Sequence, residues 1–245
     1  AVGSGVEGIA VGDEVLGHVL LAPPIQAGTI AEYAVLPAAA VVAKPAALDF
    51  ATAAAIPLAG AAAAQAVDAV DPQAGQTVLV NGAGGGVGSY AVQLLAARGL
   101  TVIATATPDS ADRVRSLGAS TIIDRTAGDV TEQVRALHPD GVDALVNVAS
   151  FDPADVPAGA VRRGGKISTT TVAPDDESLA AAGVTATSIM ATPVREVVAP
   201  LVDQVVAGDL VVSVSTVIPF DQAPAGLATL GAGKANGKVV IELED

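Results

Sequence analysis

Between residues 77 and 191 the chain alternates between two textures. Apolar runs rich in β-branched residues stand at TVLVNGA (77–83), TVIATA (101–106), TIID (121–124), DALVNVA (143–149), KISTTT (166–171) and VTATSIMA (184–191). Segments of helix-forming composition separate them near 87–98, 108–117 and 128–137, with a short helical stretch before 166. Apolar strands divided by helices predict a doubly wound parallel sheet covered on both faces, so the fold class is α/β.

The flanks read differently. AVGSGVEGIAVGDEVLGHVL is a series of short valine-containing runs broken by glycine, as in the tight turns of a small barrel or sandwich, and GTIAEYAVLPAAAVVAKP adds two strand-like runs. From Asp49 the composition turns helical, with Pro57 marking a break or a new start. The last fifty or so residues hold a helix at 194–207, the strand-like VVSVSTVI, a helix from Asp221 and the strand KVVIEL, read as a return to the first, β-rich unit. The expected division is 1–56 and 192–245 around an insert at 57–191.

The segment VLVNGAGGGVGSYAVQLLAARG carries five glycines between 82 and 88, at the junction of the first strand and the first helix of the alternating region. The strict dinucleotide pattern G-x-G-x-x-G fails, but Ala83, Gly85 and Gly88 satisfy a relaxed form with alanine first. A tight turn, a backbone approach without Cβ and close helix–strand packing are all available at these positions. The amides of Gly84, Gly85, Gly86, Val87 and Gly88 would then face a pyrophosphate at a helix N-terminus. A Walker A loop is excluded, because no lysine lies between Lys44 and Lys166.

Enzymes of NAD usually place a carboxylate at the end of the second strand, about twenty residues beyond the loop, to hold the ribose. That strand here ends Thr105-Ala106-Thr107. Asp109 comes late, in a Thr107-Pro108 helix start whose dipole it complements. Thr105, Thr107, Ser110 and Arg125 offer hydroxyls and a guanidinium for a 2′-phosphate, so NADPH is expected over NADH; the alternative for Arg125 is a solvated residue after the third strand.

Composition narrows the classes further. Twelve basic and twenty-six acidic side chains give a net charge of −14, which repels phosphate backbones, and aromatics at 2% leave few stacking faces, so nucleic acid is not an expected partner. Mean hydropathy is +0.55, yet no stretch reaches the roughly 18–20 apolar residues of a membrane span and no export signal is visible. A cytoplasmic location is expected, with no membrane association. With no cysteine there is no disulfide, thiolate nucleophile or cysteine zinc site. His18 and His138 form no H-x-x-x-H pair and read as surface or structural residues. Asp13 and Glu14 are adjacent and read as a solvated turn. The Tyr-x-x-x-Lys spacing of short-chain reductases is absent, since Tyr33 and Tyr90 are followed there by Pro37 and Leu94.

Taken in order, GSGVEGIAVGDEVLG, AEYAVLPAAAVVAKP, AAAIPLAG, the glycine-rich segment, VRSLGA, VRRGGKIS and GKVVI resemble the medium-chain dehydrogenase/reductase superfamily, specifically its zinc-independent quinone oxidoreductase branch. The resemblance implies a Rossmann domain inserted in a β-rich GroES-like domain, a homodimer, and NADPH-dependent reduction of a quinone or of a carbon–carbon double bond conjugated to a carbonyl. It places Ala149, Thr169 and Thr170 beside the nicotinamide and brings Lys238 toward the cofactor. Relatives often carry tyrosine at Arg125, and threonine and an aromatic residue at Ala62 and Ala64. The chain starts inside what resembles the middle of the GroES-like domain, as a fragment or as a reduced variant with an open site. Hydride transfer to a quinone or enone needs orientation and carbonyl polarisation and no metal; no residue of this chain is nominated as the catalytic acid. Two other readings stay open: an enoyl-thioester reductase, and an NADPH-binding protein without catalysis.

Overall fold

A computed structural model describes residues 1–19, 28–233 and 235–243. It divides into two compact units, one formed by residues 1–61 with 192–245 and one by 62–191.

The first unit opens with glycine turns. Gly5, Gly8 and Gly12 all have positive φ, and among the described residues before position 40 only β1 (Val15–Gly17) forms a strand, antiparallel to β2 (Val41–Ala43). The expected strand in AEYAVL does not form: Tyr33 and Val35 are 90% and 95% exposed, and a β-favouring composition without a hydrogen-bonding neighbour makes no ladder. The Pro57 break falls as expected, between α1 (Phe50–Ala54), whose N-cap Asp49 accepts the Thr52 amide, and α2 (Pro57–Val70).

In the second unit the strands are β3 (Thr77–Asn81), β4 (Thr101–Ala106), β5 (Thr121–Asp124), β6 (Val142–Asn147), β7 (Val161–Thr169) and β8 (Thr185–Ser188). Between them run α3 (Gly86–Ala97), α4 (Pro108–Ser116), α5 (Val130–Leu137) and α6 (Asp176–Ala182). All six strands are parallel, in the order β5-β4-β3-β6-β7-β8. This is the doubly wound order in which ligands sit outside the strand C-termini at the reversal, here between β3 and β6. The α/β class expected from the alternating pattern is the one observed.

Leu79, Ile103, Ile123, Leu145 and Ile167 form one buried face with Val134, Val142, Val161 and Val184. Each such side chain contributes about 1.5–3 kcal/mol on leaving water. β7 begins five residues earlier than the sequence suggests. Gly164, at φ +77, takes the left-handed turn that lets Val161 pair with Val142 before the register shifts, so the Gly164-Gly165 pair forms a bulge within the strand.

The chain returns to the first unit through α7 (Arg195–Ala207), β9 (Val214–Pro219), α8 (Ala223–Gly231) and β10 (Lys238–Glu242), with β9 and β10 paired in parallel. Arg195 fastens α7 to the β2 segment by donating to the carbonyls of Val41 and Ala38 at 2.9 and 3.1 Å. No helix among the described residues is long and apolar enough to cross a membrane.

Candidate functional site

The turn from β3 into α3 is held by its own backbone. Gly82 stands at φ +97, its amide donates to Thr105 Oγ1 at 2.8 Å, and the next amide, of Ala83, donates to the Thr105 carbonyl at 3.2 Å. The Gly85 amide closes the turn on Gly82 O at 3.1 Å. A Cβ on Gly88 would lie 2.2 Å from Gly82 O and 2.7 Å from the Ala83 Cα, so only glycine permits this approach of helix to strand.

Gly85 is the N-cap of α3 in an extended conformation, and the first amide bonded back within the helix start is that of Ser89, to Gly85 O at 3.0 Å. The amides of Gly86, Val87 and Gly88 are therefore the first-turn donors that an α-helix leaves unsatisfied, carrying its partial positive charge. A Cβ on Gly85 would meet only Gly82 O, at 3.5 Å, so the space beside this N-cap is open. A pyrophosphate fits that cradle on both counts, donors and clearance.

Behind the loop, a row of neutral polar side chains crosses the strand C-termini. Thr105 Oγ1 donates to Asn81 Oδ1 at 2.9 Å, Asn81 Nδ2 donates to Asn147 Oδ1 at 2.9 Å, and Asn147 Nδ2 donates to Thr169 Oγ1 at 3.1 Å. Thr169 Oγ1 passes its own proton to the Val172 carbonyl at 2.9 Å. Ser150 joins from the loop after β6, accepting from Asn81 Nδ2 at 3.1 Å and donating to the Asp155 carbonyl at the same distance. The strand register explains the alignment, since Asn81 pairs with Asn147 and Asn147 with Thr169. The Asn81–Asn147 bond spans the strand reversal itself.

Gly84 through Gly88 form the turn into α3 as the sequence suggests, but the Gly85 amide, expected to face a phosphate, is spent on Gly82 O. Thr105 also lies at the loop, but it is fully buried and its hydroxyl is engaged on both sides by Gly82 and Asn81, so it braces the loop rather than facing a ligand. Thr107 is the N-cap of α4, with Pro108 in the first turn, and its amide donates to Ser110 Oγ at 3.1 Å. Ser110 is buried and meets the loop, 3.1 Å from the position a Cβ on Gly84 would take. Ala149 is exposed beside Gly82. Thr169 is buried in the row, and the half-buried Thr170 donates its amide to the Asn147 carbonyl at 3.1 Å.

Arg125 is exposed after β5. Its neighbour Asp124 is held below the ordinary carboxylate range by the hydroxyl and amide of Thr126, and further by the charge of Arg125. Lys238 belongs to the other unit, at the start of β10, where burial lowers its ammonium below the usual lysine value. Tyr90 is fully buried on α3, and burial raises its hydroxyl above the ordinary phenol range. Glu14 forms an ion pair with Lys44 at 2.9 Å while Asp13 accepts the Ala10 amide, a turn arrangement. Among the described residues no three His, Asp or Glu side chains gather to hold a metal.

Sequence reasoning passed over Asn81, Asn147 and Ser150, and also Arg113, whose Nη2 donates to the Gly84 carbonyl at 2.8 Å. The only signal for the asparagines was that two apolar runs, TVLVN and DALVN, close on the same polar residue.

A family model described as zinc-binding dehydrogenase matches residues 86–195. The human mitochondrial NAD(P)H oxidoreductase RTN4IP1 is 30% identical over 95% of this chain and 65% of its own length. The chloroplastic NADPH-dependent alkenal/one oxidoreductase of Arabidopsis thaliana is 30% identical over 98% of this chain and 60% of its own. The chain thus spans 60–65% of the length of these two curated relatives. The quinone oxidoreductase of Coxiella burnetii superposes with a TM-score of 0.87 at 26% identity, covering 99% of this chain and 75% of that one. A structure described as an NAD-dependent alcohol dehydrogenase superposes at 0.86 with 31% identity, covering 100% and 80%.

Proposed function

The chain belongs to the medium-chain dehydrogenase/reductase superfamily, in its zinc-independent quinone oxidoreductase branch, and on that premise we propose that it is an NADPH-dependent reductase of a quinone or an enone. The observation that carries the reading is the open cradle of first-turn amides at Gly86, Val87 and Gly88, braced from behind by Thr105 at the strand reversal. A nicotinamide cofactor follows from the family. The choice of NADPH is supported by the end of β4, which presents Ala106 and Thr107 with Ser110 one turn on, and no carboxylate to hold a ribose 2′-hydroxyl or repel a 2′-phosphate. The Arabidopsis relative is named for NADPH and one solved neighbour for NAD, so the distinction is drawn from this chain's residues.

When bound, the nicotinamide supplies a hydride to the electrophilic carbon of the acceptor. The chain's own contribution is placement. Gly86, Val87 and Gly88 fix the pyrophosphate by amide hydrogen bonds in the field of the α3 dipole. The Asn81–Asn147–Thr169 row fixes the strand ends beyond it, so that the loop need not reorganise as ligand arrives. The row holds no group that ionises near neutrality. None of its side chains is an acid for the reduced acceptor, whose proton comes from water or from another side chain, and what the row contributes is orientation.

Loss of reduced-nicotinamide absorbance with a small quinone or enone, and none with an enoyl thioester, is the expected outcome. Turnover restricted to enoyl thioesters would move the assignment to that class. Thermal stabilisation by NADPH without reduction of any acceptor would make the protein a binder alone.

A further inference from the structure

Arg113 lies outside the pattern that identified the loop. It sits on α4 one turn beyond Ser110, on the same side of the helix, and both residues meet Gly84: Ser110 at the site of its absent Cβ and Arg113 at its carbonyl, 2.8 Å away. The guanidinium thereby lies against the glycine loop, from the helix that follows β4. Rossmann order places the adenosine ribose between that loop and the end of β4.

Building on the NADPH reading, we propose that Arg113 is the specificity-determining cation of the site, meeting the 2′-phosphate of NADPH with its guanidinium plane set by Gly84. Three features of this chain support the assignment. The planar fork of arginine matches phosphate geometry, and a bond to a loop carbonyl fixes its orientation before ligand arrives. Burial works against the guanidinium's charge, lowering its pKa, and a bound dianion would offset that cost. The acidic residues of the same helix, Asp109 and Asp112, are both exposed, with Asp112 paired to Arg115 at 2.6 Å.

Arg125, the guanidinium first expected in this role, differs on each point. It is exposed to screening solvent and lies beside the Asp124 carboxylate, which its charge already stabilises.

The test is nucleotide binding to the full chain, read by calorimetry with NADPH, NADH and 2′,5′-ADP, for the wild type and for Arg113→Gln, Arg113→Lys and Arg125→Gln. Melting of each variant without nucleotide reports folding, and the lysine variant keeps a charge should the glutamine variant not fold. Arg113→Gln is expected to weaken NADPH and 2′,5′-ADP about 10- to 100-fold, as for a lost charge-assisted hydrogen bond, while NADH changes by no more than about twofold. Arg113→Lys, with charge but no fork, is expected to fall between. Equal losses for NADPH and NADH would reduce Arg113 to a brace of the loop and overturn the inference, as would a preference abolished by Arg125→Gln instead. A wild type that binds both nucleotides equally also overturns it and leaves the dinucleotide site standing; one that binds neither overturns both.

Discussion

At the N-terminal ends of the parallel strands the chain uses charge. Asp143, at the start of β6, accepts the Thr77 amide at 2.8 Å and Arg162 Nε at 2.7 Å, and Arg135 donates to the carbonyls of Pro139, Gly159 and Val161. At the C-terminal ends, the corresponding strands are joined by Asn81, Asn147 and Thr169, all neutral and at most 7% exposed. One end is closed by ions that keep some solvent, the other by amides and hydroxyls that exclude it. The consequence is electrostatic. With no formal charge in the row, the row itself sets no carboxylate against an anion held in the field of the α3 N-terminus. The polar residues needed to tie the strands together are spent without opposing the ligand.

The sharpest break in that arrangement is Gly88→Ala. The added Cβ would fall 2.2 Å from a backbone oxygen, so the helix must retreat from the strand. A loss of about 3 kcal/mol in urea unfolding is expected, the upper part of the overpacking range, together with loss of nucleotide binding. A variant of unchanged stability would show that the loop does not need the contact.

Asn147→Leu removes the centre of the neutral row while keeping its volume close. Asn81 Nδ2 retains Ser150 and Thr169 Oγ1 retains the Thr171 amide, but the bond across the strand reversal is gone and Thr169 Oγ1 loses one of its donors. A buried polar network with one member missing is expected to cost about 2 kcal/mol. A cost under about 0.5 kcal/mol would mean the row is not what holds the strand ends.

These two sites show what the sequence carried and what it could not. β4 and β5 occupy the residues their apolar runs marked, and the α1–α2 break stands at Pro57, because burial pattern and proline chemistry are local. The glycine turn was legible for the same reason: positive φ at Gly82 and the missing Cβ at Gly88 are properties of single positions. The polar row was not. Asn81 and Asn147 are 66 positions apart, and only the strand register places their side chains together. Arg113 escaped because its contact crosses from helix to loop over 29 positions with no spacing rule. AEYAVL misled in the opposite direction, since strand propensity says nothing of a partner.

The charged end is tested by acid. Burial pushes the Asp143 carboxyl up, but the Thr77 amide and Arg162 pull it down further, leaving it below its ordinary value. A depressed folded-state pKa means stability that is fully present above the unfolded value near 3.8 and is lost as pH falls through the folded one. Asp143→Asn is expected to cost about 1 kcal/mol at neutral pH and to flatten the acid limb of a stability–pH curve below about pH 4. Asn147→Leu is expected to shift the whole curve without changing that limb, which separates the two ends by their pH response. An unchanged acid limb in Asp143→Asn would remove the distinction.

The smallest effect on stability is expected at Gly85, and it separates ligand from fold within one loop. Its backbone is extended, at φ −85 and ψ 177, so alanine is sterically allowed, and its Cβ would have only Gly82 O within 4 Å, at 3.5 Å. Two small terms then oppose each other. Alanine is a poorer N-cap than glycine, whereas the loss of glycine's freedom in the unfolded chain favours the folded state, and the net change is expected within about 0.5 kcal/mol. The same Cβ stands in the open space beside the α3 N-cap, where it would hold a pyrophosphate off its donors. Gly85→Ala should therefore melt like the wild type and bind NADPH and NADH at least about tenfold more weakly, by the same factor for each, since the loss of one well-made hydrogen bond to a charged group is worth that much. Equal weakening marks the pyrophosphate cradle, as unequal weakening marks Arg113. Wild-type affinity in Gly85→Ala would put the phosphates elsewhere and leave Gly88 as a packing glycine only.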